Sequence, residues 1–490
     1  MELFIVEMAR YVIILLFALY TFYSFRAFAG HNKQRQNRVF AAQRTLTLLL
    51  HTVMSAILIM ENKDIMYVGL WAAEFAFYLI FIKVYQACYK GLSKLVLNNM
   101  MMCMMVGFVI LGRLASDYAV HQIILAAAAM VLCIFVPLII EKFRILEKMG
   151  WYFAAIGIVF LMLVFVIGVE KYGSRNWISV GGIAIQPSEF VKILYVFFMA
   201  SLLSQTTKFK HIVIISAVAA VHVVILVAEK DLGAALIYFV TYIFVLYVAT
   251  TKVQYLGAGL AGGTLASIVA YHLFSHVKTR VQAWRDPWAE IRGGGYQVAQ
   301  SLFAIGTGGW FGAGLYQGQP DTIPVSAEDF IFSAISEEMG LIYAMCLILI
   351  CVSCYVMFLN IAMQLHNLFY KMVALGLGTC YIFQVFLTIG GATKFIPSTG
   401  VTLPLVSYGG SSLISTLIMF AIIQGLYILR EDEEEDIERR KKESLRAKRS
   451  RQENAARYQE TEYDPQRAKR SQKARKEAAQ GKARKKQRIR

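Results

Sequence analysis

Apolar runs of roughly twenty residues, separated by short polar linkers, recur along the chain as far as residue 430, each long enough to cross about 30 Å of hydrocarbon as a helix. The pattern predicts about thirteen spans. The first seven lie near Tyr11–Ala27, Leu46–Met60, Met66–Ile82, Met100–Leu114, Ile123–Ile140, Trp151–Val169 and Phe190–Leu203. Six more follow near Ile212–Ala228, Leu232–Ala249, Leu256–Phe274, Phe330–Leu359, Leu368–Ile389 and Leu403–Leu429. Backbone groups in lipid must be satisfied within the segment, and the short alternating segments of a closed barrel are absent, so the expected fold is an all-α polytopic membrane bundle.

Composition agrees with the pattern. Hydrophobic residues make up 58% of 490, charged residues 17%, and mean hydropathy is +0.54, which together exclude an ordinary soluble protein. Basic residues mark one side of the membrane. They fall in linkers after odd-numbered spans, at Lys33/Arg35/Arg38/Arg44, Lys83/Lys90/Lys94, Lys142/Arg144/Lys148, Lys208/Lys210 and Lys252, with almost no charge near His366. The expected orientation therefore has the N-terminus outside and the C-terminus in the cytoplasm. Met1–Tyr20 also has the look of a secretory signal, but no small-residue cleavage site follows and the apolar run continues to Phe28, so a retained helix is preferred.

Net charge is +17, and most of it lies in the tail: Arg439–Arg490 holds 21 basic against 6 acidic residues, behind the acidic cluster Glu431–Asp436. No apolar periodicity runs through residues 431–490, so a disordered or weakly helical cytoplasmic tail at anionic lipid headgroups is expected. With only Tyr458 and Tyr463 to stack on bases, no nucleic-acid partner is expected. The seven cysteines fall in or beside apolar spans and imply no disulfide framework. Cys351-Val-Ser-Cys354 has redox spacing but reads as mid-helix packing.

The linkers on the outward side carry polar residues that a plain connection does not need. In the first, Pro187 suits the opening turn of a helix, and Glu189 and Lys192, three residues apart on one face, are placed to pair. Arg175 and Trp177 in the same linker also suit an interfacial anchor. Asp231 opens the next helix, where the dipole favours an acid. The long linker 275–329 contains Arg280, Asp286-Pro-Trp288, Gly293-Gly-Gly-Tyr-Gln297 and the glycines from Gly306 to Gly318; an ordered, partly re-entrant loop is expected. The last linker ends in small and hydroxyl residues, Ser407 to Ser412, that permit close helix approach.

The costliest feature is Ser326–Gly340, which carries Glu328, Asp329, Glu337 and Glu338 into apolar sequence. An ionisable group at bilayer depth costs at least about 2.5–3.5 kcal/mol on insertion scales, so such groups usually face a cavity and serve a function. Asp329, at the helix start, also reads as a simple cap. Glu337 and Glu338 lie about 12 Å further in at ~1.5 Å per residue; they read as buried, hydrogen-bonded packing residues.

The ordered motifs GSRNWISVGGIAIQPSEFVKI, DLGAAL, RVQAWRDPWAE followed by GGGYQ, EDFIFSAISEEMG and PSTGVTLPLVSYGGSS resemble the SEDS family of RodA, FtsW and SpoVE. The resemblance implies a ten-helix membrane glycosyltransferase core at 98–430 that polymerises lipid II, an undecaprenyl pyrophosphate donor, by inverting transfer to the 4-hydroxyl of an acceptor sugar. It implies a class B penicillin-binding protein as partner. Residues 1–97 would then be three extra helices with no counterpart in that core. Carried over by motif, Asp329 is the catalytic aspartate, Glu189 and Lys192 the acid–base pair at the cavity mouth, and Asp231 the aspartate of the DLG motif. Arg280 precedes the Asp-Pro loop, and Arg175, Trp177 and Ser407 complete the substrate set. The sequence departs from the family at Ala327-Glu328, commonly His-Thr, and at Lys230, commonly Pro.

A carboxylate within reach of a sugar hydroxyl can act as its general base. Arg280, Lys192, Arg175 or a divalent cation such as Mg²⁺ would stabilise the leaving pyrophosphate; no organic cofactor is expected and the metal ligands are left open. A lipid-linked precursor flippase is the alternative, because intramembrane carboxylates around a polar cavity also fit alternating access, although no inverted repeat is visible.

Overall fold

The structure is a computed structural model that describes residues 2–29, 33–171, 174–180, 183–462 and 465–487. Among these residues, thirteen helices are long and apolar enough to cross a membrane. The protein is a multi-pass helical membrane protein. It divides into two compact units, Met1–Arg430 and Glu431–Arg490.

In the first unit the helices are α1 (Glu2–Arg26), α2 (Lys33–Asn62), α3 (Ile65–Cys88), α4 (Lys94–Leu114), α5 (Ser116–Lys142) and α6 (Gly150–Ile167). Next come α7 (Pro187–Gln205), α8 (Phe209–Ala228), α9 (Leu232–Thr250), α10 (Val253–Leu273), α11 (Ser275–Arg285), α12 (Tyr296–Gly308), α13 (Ile331–Gln364) and α14 (Leu368–Ala392). The last, α15 (Gly410–Glu462), begins seven residues later than the apolar run suggests. Pro404 and the positive φ of Leu405 hold 403–408 in a turn instead, so only the sequence from Gly410 is helical.

Burial orders the bundle. The span at α4 is enclosed on every side, and α7 and α14 are mostly buried, whereas α10 buries no residue. A helix apolar all round belongs in the middle, which explains the Met100–Met105 run of α4. Helices α1–α3 pack on α13, α4 and α5 rather than standing apart. Polar side chains fix that contact: Tyr20 and Ser24 both donate to Asn99 Oδ1 at 3.0 Å, and Asn99 Nδ2 donates to Ser353 at 3.1 Å. Within the three-helix group, buried His51 and Glu74 meet at 2.6 Å.

Three regions differ from the sequence reading. The linker after α6 is a three-stranded antiparallel sheet, β1 (Gly168–Lys171), β2 (Ser174–Val180) and β3 (Ile183–Ile185), with Ile178 opposite both Gly168 and Ile185. Its signal was period two: Asn176 and Ile178 are buried while Arg175 and Ser179 are exposed. Gly173, Gly181 and Gly182 of the motif lie outside the described residues. The linker 275–329, expected as an ordered, partly re-entrant loop, holds two helices, α11 and α12, the latter packed on α13 with Val298, Ala299, Ser301 and Ala304 buried. The tail, expected to be disordered or weakly helical, is helical where described, in α15 beyond Arg430 and in α16 (Pro465–Gln487). Its Glu, Lys, Arg, Gln and Ala residues are strong helix formers, and i,i+4 pairs Arg439–Glu443 and Glu438–Lys442 lie along an exposed surface.

Candidate active site

Asp329 stands two residues ahead of α13, held by its neighbours' backbone. Tyr408 N–H donates to Ala327 O at 2.8 Å, and Ser407 Oγ donates to Glu328 O at 2.6 Å. Ser407 is itself fixed by accepting Leu403 N–H at 2.8 Å and is buried. It therefore anchors the segment that carries the aspartate. The Asp329 carboxylate has no hydrogen-bond partner among the described residues. Burial raises its pKa to about 7, the Glu328 charge adds to the rise, and Arg280 opposes it.

Arg280, on α11, donates to Ser398 O at 3.0 Å, and Trp284 one turn on donates to Lys394 O at 3.1 Å. These bonds lay α11 over the linker 393–400. Gly400 then brings the two charges together, because a β-carbon there would lie 3.4 Å from Arg280 Nη2 and 3.6 Å from Asp329 Oδ2. Its φ of 73° also favours glycine. His276, on the same helix, is held below its ordinary pKa by burial and then by the charges of Arg280 and Lys230.

Glu189 and Lys192 do pair, at 2.5 Å, and the pair is embedded in a network. Lys192 Nζ also donates to Gln384 Oε1 at 2.9 Å, and Ser415 donates to Glu189 at 2.8 Å. Gln384 Nε2 in turn donates to Thr402 O at 3.1 Å and Ser412 Oγ at 3.3 Å. The segment 398–402 thus touches Arg280 and Asp329 at one end and the Lys192 network at the other.

Asp231 is occupied. Its Oδ2 accepts from Asn176 Nδ2 at 2.9 Å, Gln186 Nε2 at 2.9 Å and Ser188 Oγ at 3.1 Å, and its Oδ1 caps α9 through Ala234 N–H at 3.1 Å. Three of these bonds fall on Oδ2 and one on Oδ1, so this residue ties β2, α7 and α9 together. Arg175 is tied to its surroundings, with N–H to Glu229 O and Nε–H to Gly168 O, both 3.2 Å. Trp177 is half-buried on the same strand. Glu229 lies beneath, buried with both carboxyl oxygens unpartnered, and its pKa is raised to about 8 by burial and then by Asp231.

The acids further along α13 serve a break in the helix. Gly340 has φ 81°, and the next two helical bonds are exchanged for bonds to the turn after α12. Leu341 and Ile342 N–H donate to Gly309 O and Trp310 O at 2.9 and 3.2 Å. Glu337 O and Glu338 O accept from Ala313 and Gly314 N–H at 2.8 and 2.9 Å. Backbone meets backbone so closely that a β-carbon on Gly312 would lie 2.2 Å from Glu338 O. The side chains complete the graft: Glu338 accepts Tyr316 N–H at 3.2 Å and pairs with Arg113 at 2.9 Å, and Glu337 accepts Gln319 N–H at 3.0 Å.

Residues 92–431 match the family model FtsW/RodA/SpoVE, described as cell cycle proteins. The chain belongs to this family. Its relatives include the peptidoglycan glycosyltransferase RodA of Mycobacterium tuberculosis, 37% identical over 303 residues that cover 58% of this chain and 65% of that one. Stage V sporulation protein E of Bacillus subtilis is 36% identical over 282 residues, covering 54% and 75%. The match thus spans just under two thirds of the mycobacterial relative. A solved chain from a peptidoglycan synthase complex, described as coordinating polymerization and crosslinking, superposes with a TM-score of 0.60 at 25% identity, covering 69% of this chain and 98% of that one. The sequence reading of an FtsW/RodA/SpoVE core is correct, and α1–α3 precede the matched region.

Sequence reasoning missed Gln384, Ser415 and Gly400, and it missed the broken α13. Gln384 was detectable as a polar residue in the middle of an apolar span. Gly400 had no signal of its own, because its importance comes from α11 folding back over it.

Proposed function

We propose that this member of the family is a peptidoglycan glycosyltransferase that joins lipid II units, with Asp329 as general base. The observation that carries the reading is a carboxylate left without a partner, raised to about 7, beside Arg280 at the end of a membrane span. A base poised near ambient pH is suited to take a proton from a hydroxyl. The acceptor's 4-hydroxyl gives its proton to Asp329 as its oxygen attacks the donor's anomeric carbon from the face opposite the leaving group. The bond from that carbon to the pyrophosphate oxygen breaks, and the electron pair leaves with the lipid pyrophosphate. Arg280 neutralises the developing charge. Lys192, engaged by Glu189 and Gln384, orders the wall between α7 and α14.

Among the described residues no group of three or more His, Cys, Asp or Glu is arranged to hold a metal ion. No step is routed through a divalent cation. The reading places the Asp329 end of α13 outside the cytoplasm and the C-terminal tail inside, in keeping with the basic linkers. It takes a class B penicillin-binding protein as the crosslinking partner.

The test is a gel assay of glycan chains made from lipid II by the purified chain with that partner. Asp329→Asn is expected to remain folded in the membrane and to lose polymerisation on the order of 10²- to 10⁴-fold. Full glycan synthesis by the variant would overturn the assignment. Loss of lipid II translocation with polymerisation intact would favour a flippase.

A further inference from the structure

Two of the three helices that precede the family match, α1 and α2, hold the turn grafted into α13. Arg10 of α1 donates through Nη1 to Gly312 O at 2.9 Å, and its guanidinium lies 4.8 Å over the Tyr11 ring, which in turn meets Phe311 at 5.7 Å. Asn62, the last residue of α2, donates to the Tyr316 hydroxyl. A β-carbon on Gly314 would reach Val6 at 3.7 Å, so α1 also lies in van der Waals range of the turn. From the family core, Arg113 closes the other side, 4.3 Å over the Tyr316 ring and 3.4 Å from Gly318 O.

The turn matters because of where it leads. Its four main-chain bonds to 337–342 fix the angle between the outer part of α13, 331–339, and the rest of the helix. Asp329 sits just ahead of that outer part, ten residues beyond Gln319, which is itself tied to Glu337 at 3.0 Å. A bent helix whose broken bonds are satisfied by another segment has its bend set by that segment. A small misplacement of a reacting group can cost up to about a hundredfold in rate.

We propose that α1 and α2 form a built-in clamp for the family's reaction, in which Arg10 and Asn62 are positioning residues that set Asp329 through the 309–319 turn and the outer part of α13. The clamp touches neither Asp329 nor Arg280. Its effect is carried by one donor to Gly312 O, one to Tyr316 and the rigid backbone graft between them. This inference rests on Asp329 being the base.

The experiment uses the full chain carrying Arg10→Ala and Asn62→Ala together, and separately Arg10→Lys, which keeps a donor for Gly312 O. Thermal unfolding in detergent, amide hydrogen exchange over 309–330 and lipid II polymerisation are read on each. Expected are an unfolding midpoint close to that of the parent, faster exchange across 309–330, and a kcat lowered roughly ten- to a hundredfold with KM little changed. Arg10→Lys should recover part of both the protection and the kcat. Unaltered exchange across 309–330 in the double variant overturns the clamp, as does parental kcat despite faster exchange, or a loss confined to KM. A parent that makes no glycan would count against the glycosyltransferase reading alone, and the exchange arm would still decide the clamp.

Discussion

Asp231 and Asp329 both stand at the start of a membrane helix, and the structure treats them in opposite ways. Asp231 accepts four hydrogen bonds from α7, α9 and the β2–α7 region, whereas Asp329 accepts none among the described residues and is lifted to about 7. A carboxylate that accepts four hydrogen bonds is fixed in position by its neighbours. One that is desolvated and unbonded is costly to fold around but ready to bind a proton. The difference separates a structural acid from a chemical one where sequence motifs present both alike.

Exchanging the two losses is the strongest way to break this contrast. Asp329→Asn should abolish glycan synthesis with the fold intact, while Asp231→Ala should leave four donors without an acceptor and lower stability by about 2–4 kcal/mol, measured by thermal unfolding in detergent. If Asp231→Ala unfolds at the parental temperature yet loses activity, the structural assignment of Asp231 fails. A smaller effect is expected at Gly400, where alanine would occupy the space shared by Arg280 and Asp329 in a left-handed conformation. Gly400→Ala should cost about 1–2 kcal/mol in stability and roughly tenfold in kcat; parental kinetics would show that the shared space is not used.

The smallest effect sharpens the electrostatics. Because Asp329 acts only when ionised, kcat should rise with pH through about 7 and level off above it. Glu328 raises that pKa, so Glu328→Gln should move the midpoint down. A midpoint that stays in place would show that the Glu328 charge does not reach the base. The same change bears on the family departure at 327–328: the acid installed there tunes the aspartate that follows it.

How much was legible differs by region. The thirteen spans were readable because a membrane helix declares itself through local composition alone, and α4 even declared its central place through the Met100–Met105 run. The sheet 168–185 was hidden because its strands are short and its linker was read by motif instead of by alternation. The Glu189–Lys192 pair followed from helical spacing, but its partners Gln384 and Ser415 lie 192 and 226 residues away from it. The bend of α13 was hidden too, since Gly340 inside an apolar run looks like any tolerated membrane glycine.

By itself the sequence determined the class of molecule, the number and order of its spans, and the family motifs in which Asp329, Glu189 and Asp231 occur. These are set by residues near one another along the chain, through hydrophobic periodicity and local spacing. Only the tertiary structure decided which acid is bonded and which is free, that Ser407 anchors backbone, and that α1 and α2 grip the turn inserted into α13. Those outcomes depend on hydrogen bonds between segments tens to hundreds of residues apart, such as Arg10 with Gly312. In a bilayer, where no water is on hand to satisfy a buried polar group, it is the packing of the helices that allots partners.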